Sequence, residues 1–241
     1  MIPWTLLAKA AIPGGGELRL MRRDGEFSIR LGANELMNSR LGGSEEALAA
    51  LACARIAARV RPRILIGGLG MGFTLRAALR ALDASARVEA VELVAAVVRW
   101  AQGPLAEIFA GSLDDPRVKV EVADVAEIIR AAACRYDAIL LDVDNGPEGL
   151  TREANDRLYD ARGLAAAHAA LKIGGVLAVW SARPDRRFAQ RLGDAGFAAE
   201  EFSARATGGR GARHTIWIAA RPAPGRRFLR RSLLDAGVNR H

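Results

Sequence analysis

Three carboxylates and one run of glycines recur at spacings that suit shared chemistry. Gly67-Gly68-Leu69-Gly70-Met71-Gly72 follows the apolar stretch RILI, and Glu92, Asp124 and Asp142 each close or follow another short apolar run. Glycines let the backbone turn tightly and approach a ligand that a Cβ would push away. Gly68, Gly70 and Gly72 give GxGxG spacing rather than GxGxxG, and taken alone the turn carries little weight. Glu92 comes 20 residues after Gly72, where an acid can accept both hydroxyls of a ribose. Plainer roles exist: a tight turn for the glycines, and helix capping for Glu92 and Asp124. Asp142 is harder to explain that way, because a carboxylate at the end of an apolar strand is desolvated and needs a purpose. Together the four features predict one nucleoside-sized crevice, with Asp144 and Glu148 close enough in sequence to add charge for a polycation.

Something must bring these positions together. From residue 63 the pattern alternates between short apolar runs and helical periods. Strands are predicted at 63–67, 88–93, 118–122, 136–143 and 175–180, with helices at 72–82, 94–110, 124–133 and 153–172 between them. The last helix is expected to end on Lys172 and Gly174-Gly175, with a cation where the carbonyl end favours one. Continuous apolar strands separated by helices imply βαβ units, a doubly wound α/β fold with a parallel sheet covered on both faces. A helix at 185–194 and two strands at 198–203 and 214–220 follow, the strands joined by a Gly-rich link that lets them run antiparallel. The sheet is therefore seven-stranded and mostly parallel. Its carboxyl edge would present the glycine turn, Glu92, Asp124 and Asp142 to one crevice. Upstream, Asp24-Gly25 between short apolar runs predicts a β-hairpin, with 35–37 as a third strand. Ser44 is placed to cap a helix carrying Glu45 and Glu46 in its first turn, running to Val60 before Pro62. Three regions result: an N-terminal β-hairpin region over 1–42, a nucleoside-binding domain over 43–220 and a basic tail over 221–241.

Composition narrows the classes. With 241 residues, 51% of them hydrophobic, the chain can bury a core without disulfides or a structural metal. No run approaches about 18 apolar residues, so no membrane span is expected. Lys9 interrupts the apolar N-terminal stretch and no charged leader precedes it, so a secretory signal is not expected and a cytoplasmic location is. Cys53 and Cys134 lie in apolar helical contexts and are expected as buried free thiols. The net charge of +8 comes from 35 basic residues, of which 32 are arginine. Six arginines against Asp235 in residues 221–241 account for most of it. The basic character is mostly a tail, and nucleic-acid binding is not expected. His168, His214 and His241 are too scattered for zinc, so no metal is expected, and the first two are expected to be structural. No nucleophile elbow is present. Trp180 suits either the core or the substrate side.

The segments ILIGGLGMGFTLRAAL, VEAVEL, VEVADVAE and YDAILLDVDNGP resemble the spermidine synthase family, the aminopropyl-transferring branch of the S-adenosylmethionine-binding, class I methyltransferase-type fold. The likeness runs from the hairpin to about residue 220. It implies a transferase that takes S-adenosylmethionine or its decarboxylated form and a small-molecule amine, and that assembles as a homodimer. It places Glu92 and the adjacent Leu93 at the ribose, Asp124 with Val125 at the adenine, and Asp142 at the catalytic aspartate, which would take the proton of the attacking amine. Asp144 and Tyr159 fall near that aspartate's loop and a family aromatic. Three positions depart from the pattern. Met71 stands where the family's glycine turn carries the aspartate that binds an ammonium group. Asn145 stands where a second loop acid is expected. Ser44-Glu45-Glu46 replaces a Tyr-Gln/His-Glu. The alternatives are a small-molecule methyltransferase, although Ile66 stands where those usually carry an acid, and a nucleoside-binding protein without turnover.

Overall fold

The computed structural model describes residues 2–143, 157–207 and 210–223. Asp144, Asn145, Glu148 and the tail beyond residue 223 lie outside these. Seven strands form the main sheet: β5 (Arg63–Gly67), β6 (Arg87–Glu92), β7 (Val118–Val122), β8 (Tyr136–Leu141), β9 (Leu171–Ser181), β10 (Ala198–Thr207) and β11 (Arg210–Ala220). Their order is β10-β11-β9-β8-β5-β6-β7. β5 through β9 pair in parallel, while β11 runs antiparallel to both β9 and β10. The α/β reading holds. From β5 the chain winds one way to β6 and β7, and then the other way from β8 to β9, so the winding reverses between β5 and β8. A crevice opens at such a reversal, beyond the carboxyl ends of the strands.

Helices α2 (Phe73–Ala81), α3 (Ala95–Gln102), α4 (Ala106–Phe109), α5 (Val125–Arg130), α6 (Ala161–Ala170) and α7 (Arg186–Asp194) follow the alternation, after α1 (Gly43–Arg55). The single helix expected at 94–110 is two. Gly103 precedes Pro104, which disfavours helical geometry before it and offers no N–H. The helix expected to reach Val60 stops at Arg55, and Val60 is 88% exposed. Leaving the helix there lets Arg59 donate to the Ile173 carbonyl and come within 3.7 Å of the Asp137 carboxylate. Lys172 does not end a helix; it lies in β9, where its ammonium meets Asp137 at 2.6 Å.

A four-stranded antiparallel sheet, β1 (Thr5–Ala11), β2 (Glu17–Arg23), β3 (Glu26–Leu31) and β4 (Asn34–Asn38), precedes α1. The hairpin turns at Asp24, whose φ of 55° is what an Asp-Gly turn demands. β1 gave no sequence signal because most of its side chains are exposed. Leu18, Leu20, Phe27 and Ile29 pack into the same apolar cluster as α1, α2 and one face of the main sheet. The small sheet is thereby held against the crevice, with Leu36 and Met37 of β4 beside the glycine turn. Cys53 is buried as expected, but Cys134 is exposed.

Candidate active site

Two chambers meet at the carboxyl edge of β5, β6, β7 and β8. The first, about 920 Å³ including its open mouth, is lined by Gly68, Gly70, Glu92, Leu93, Asp124, Val125 and Asp142, under a roof that includes Leu36 and Met37. The second is lined by Glu45, Asp142, Met71, Gly72, Phe73 and Trp180, and it shares Leu36, Met37 and Gly70 with the first. Asp142 stands in the wall common to both.

The glycine turn is built for close approach. Gly68 sits at a φ of 91°, and a Cβ there would fall 2.2 Å from the Asp142 carbonyl oxygen. The Asp142 N–H donates to the Gly67 carbonyl and ties the turn to the end of β8. Glu92 ends β6 beneath the turn. Its two carboxylate oxygens accept separately from Leu69 N at 3.0 Å and Val94 N at 2.9 Å. Burial nonetheless raises its pKa above the ordinary value, against these backbone donors. Asp124 both caps α5, accepting from Ala126 N at 2.8 Å, and borders the first chamber, so capping and lining are not exclusive.

Asp142 is displaced in the same direction as Glu92. Burial pushes it up to about 7, the charge of Glu45 adds to the rise, and a 2.6 Å hydrogen bond from Thr74 Oγ1 opposes it. Glu45 is itself raised, chiefly by burial. Its Oε2 accepts from Ser44 Oγ at 2.6 Å. Ser44 Oγ also accepts from Trp180 Nε1 at 3.0 Å and lies 2.8 Å from His214 Nδ1. Ser44 is therefore not the helix cap: Gly42 takes that position, with no side-chain cap, and the serine hydroxyl is committed elsewhere.

Most of the residues singled out in the sequence converge here: Gly68, Gly70, Gly72, Glu92, Leu93, Asp124, Val125 and Asp142 line one chamber or both. Met71 borders only the second chamber and is otherwise packed in the core, 3% exposed. Tyr159 is a correction. It is 2% exposed, edge-on to Phe188 in the second apolar cluster, and lines neither chamber. Sequence reasoning missed Glu45, Leu36 and Met37. Glu45 carried the one usable signal, standing beside a replaced family aromatic. Among the described residues no cluster of three His, Cys, Asp or Glu side chains could hold a metal.

Comparison with known proteins gives a consistent picture. The polyamine aminopropyltransferase of Mycobacterium tuberculosis is 34% identical over 124 residues, which is 50% of this chain and 23% of that protein. Polyamine aminopropyltransferase 1 of Streptomyces coelicolor is 39% identical over 100 residues, 40% of this chain and 19% of that one. The corresponding protein of Hyperthermus butylicus is 35% identical over 118 residues, 48% and 39% of the two chains. The chain thus aligns with well under half the length of these relatives. Among solved structures, a spermidine synthase in complex with the transition state analogue AdoDATO superposes with a TM-score of 0.72 at 19% identity, over 90% of this chain and 72% of that one. The spermidine synthase of Thermotoga maritima gives 0.71 at the same identity and coverage. These superpositions speak to fold. No helix among the described residues is long and apolar enough to cross a membrane. The spermine/spermidine synthase domain is matched over residues 45–185, a continuous stretch of more than half the chain that includes Glu45, the glycine turn, Glu92 and Asp142, and the chain belongs to that family.

Proposed function

We propose that this chain is a transferase that binds a sulfonium nucleoside in the first chamber and passes its aminopropyl group to a small amine in the second. The observation that carries the reading is the position of Asp142, in the wall between the chambers with its carboxyl near neutrality. In this reading Glu92 and Leu93 meet the ribose, and Asp124 and Val125 the adenine. The reaction forms a C–N bond and breaks a C–S bond, whose electron pair returns to sulfur. An amine is protonated at pH 7 and cannot attack, so a carboxylate must take its proton and hold the nitrogen in line. Asp142 is placed to do both. Glu45 gives the chamber a second negative charge, and Asp144 is assigned to the same amine side. Met71 offers no carboxylate to an ammonium group, and Glu45 supplies one from α1 across the same chamber. Decarboxylated S-adenosylmethionine is the donor proposed, with homodimeric assembly and a cytoplasmic location carried over from the sequence reading.

The test is a thermal-shift comparison of S-adenosylmethionine, its decarboxylated form and methylthioadenosine, followed by turnover with short diamines. Selective stabilisation by the decarboxylated ligand, with turnover, is the expected result. Preference for the carboxylated ligand would turn the reading to methyl transfer. Nucleoside binding without turnover of any amine would end it.

A further inference from the structure

Ser44 is fully buried at the start of α1, and three polar groups converge on its hydroxyl: Trp180 Nε1, His214 Nδ1 and Glu45 Oε2. Counting protons restricts what these groups can do. An indole N–H only donates, a hydroxyl has one proton and two lone pairs, and a neutral imidazole has one N–H. While Glu45 is ionised it only accepts, so Ser44 donates to it. Trp180 fills one serine lone pair, and Nδ1 of His214 must carry the proton that fills the other. When Glu45 holds a proton the chain can reverse: Glu45 donates to Ser44, Ser44 to Nδ1, and the imidazole proton sits on Nε2. Burial holds the His214 pKa below its ordinary value, which keeps the ring neutral at pH 7 and makes these two tautomers the relevant states.

We propose that Glu45, Ser44 and His214 form a proton relay leading out of the second chamber, with half-buried His214 as its outer member. The inference rests on the transfer reaction proposed above, which sheds one proton per turnover. The entering ammonium gives up a proton, the C–N bond forms, the C–S bond breaks towards sulfur, and the product nitrogen remains a secondary ammonium. The shed proton enters the Asp142–Glu45 pair. With the proton on Glu45, His214 shifts its own proton from Nδ1 to Nε2 by exchange with solvent, and the proton on Glu45 then passes to Ser44 while the serine proton passes to the vacated Nδ1. The resulting imidazolium releases its Nε2 proton to solvent, restoring the Nδ1–H tautomer. The surrounding groups leave this path open. On α1, Glu46 is engaged by Arg76 and Arg80 of α2. Thr74 of α2 donates to Asp142 of β8. β9 supplies Trp180, whose ring packs edge-on to His214 at 4.7 Å, and β10 presents the Arg205 and Ala206 carbonyls to Gly43.

Nitrogen-15 NMR of the substrate-free chain at about pH 8 should show His214 as the Nδ1–H tautomer, a preference lost in Ser44→Ala. His214→Gln keeps a donor to Ser44 but cannot pass a proton on. It should lower kcat about tenfold or more, with KM for the amine within about twofold. Added imidazole should restore part of the rate of His214→Ala. An Nε2–H tautomer in the wild type, or a wild-type kcat in His214→Gln, overturns the relay alone. Absence of any amine turnover by the wild type overturns the transferase reading and the relay with it.

Discussion

Replacing Asp142 by asparagine should stabilise the free chain in mild alkali and lose that advantage in acid. The folded carboxyl titrates at about 7, against an ordinary value of 3.8, because it is buried and faces Glu45. A folded value above the unfolded one means that the folded chain binds the proton more tightly. The stabilisation is then complete below about pH 3.8 and is lost as pH rises through about 7. At about 1.36 kcal/mol per pH unit the full swing is roughly 4 kcal/mol, more than half of it between pH 5 and pH 8.5. The side chain borders a cavity open to water, which screens it, so about 1 kcal/mol should be measurable. Asparagine keeps an oxygen for the Thr74 hydroxyl and cannot ionise. Urea unfolding at about pH 5 and pH 8.5, with unchanged m-values, gives the difference of differences directly. Equal effects of Asp142→Asn at both pH values, or an asparagine chain less stable than the wild type at the higher one, would refute the reasoning. The same variant should abolish transfer while holding nucleoside affinity within about tenfold, since the role proposed for the carboxylate is at the amine.

Glu92→Gln puts an amide donor against one of two backbone N–H groups, and should weaken methylthioadenosine binding by about 10- to 100-fold in calorimetry. Undiminished affinity would remove Glu92 from the ribose. Gly68→Ala should cost more than 2–3 kcal/mol, since its Cβ would strike a backbone carbonyl at 2.2 Å, whereas Gly70→Ala meets only the Met37 thioether sulfur at 3.2 Å and should cost about 1 kcal/mol. Melting temperatures in the reverse order would contradict this account of the turn. Lys172→Met strips the ammonium from an Asp137 that is 2% exposed, and should destabilise by about 2–3 kcal/mol in denaturant titration.

Local alternation made the βαβ part of the fold legible, and with it the shared edge of Glu92, Asp124 and Asp142. The misreadings share a cause, which is contact between residues far apart in the chain. Ser44 has the composition of a cap, but Trp180 and His214, 136 and 170 positions away, claim its hydroxyl. Lys172 has the composition of a helix end, but Asp137, 35 positions earlier, draws it into a strand. Glu45 and Glu46 read alike as acids favoured by the helix dipole. Only the packing of α1 between α2 and the sheet turns the first towards the chamber and the second towards Arg80. Tyr159 differs: a resemblance located it near a loop, and it packs into the second apolar cluster beside Phe188.

Burial without charge pairing sets three carboxylates of this chain apart. Eleven acids among the described residues do pair with Arg or Lys, from exposed Glu200 to deeply buried Asp137. Glu45, Glu92 and Asp142 are half-buried, where an unpaired charge already carries a desolvation cost, and no salt bridge reaches any of them. Their donors are a serine, a threonine and backbone amides, which orient a carboxylate without neutralising it. Burial raises the pKa of all three. A fold that leaves three such groups uncompensated around two connected chambers holds them ready for something from outside. Hydroxyls suit Glu92 and an ammonium group suits the Glu45–Asp142 pair, the two ends of the ligand set that the proposed transfer requires.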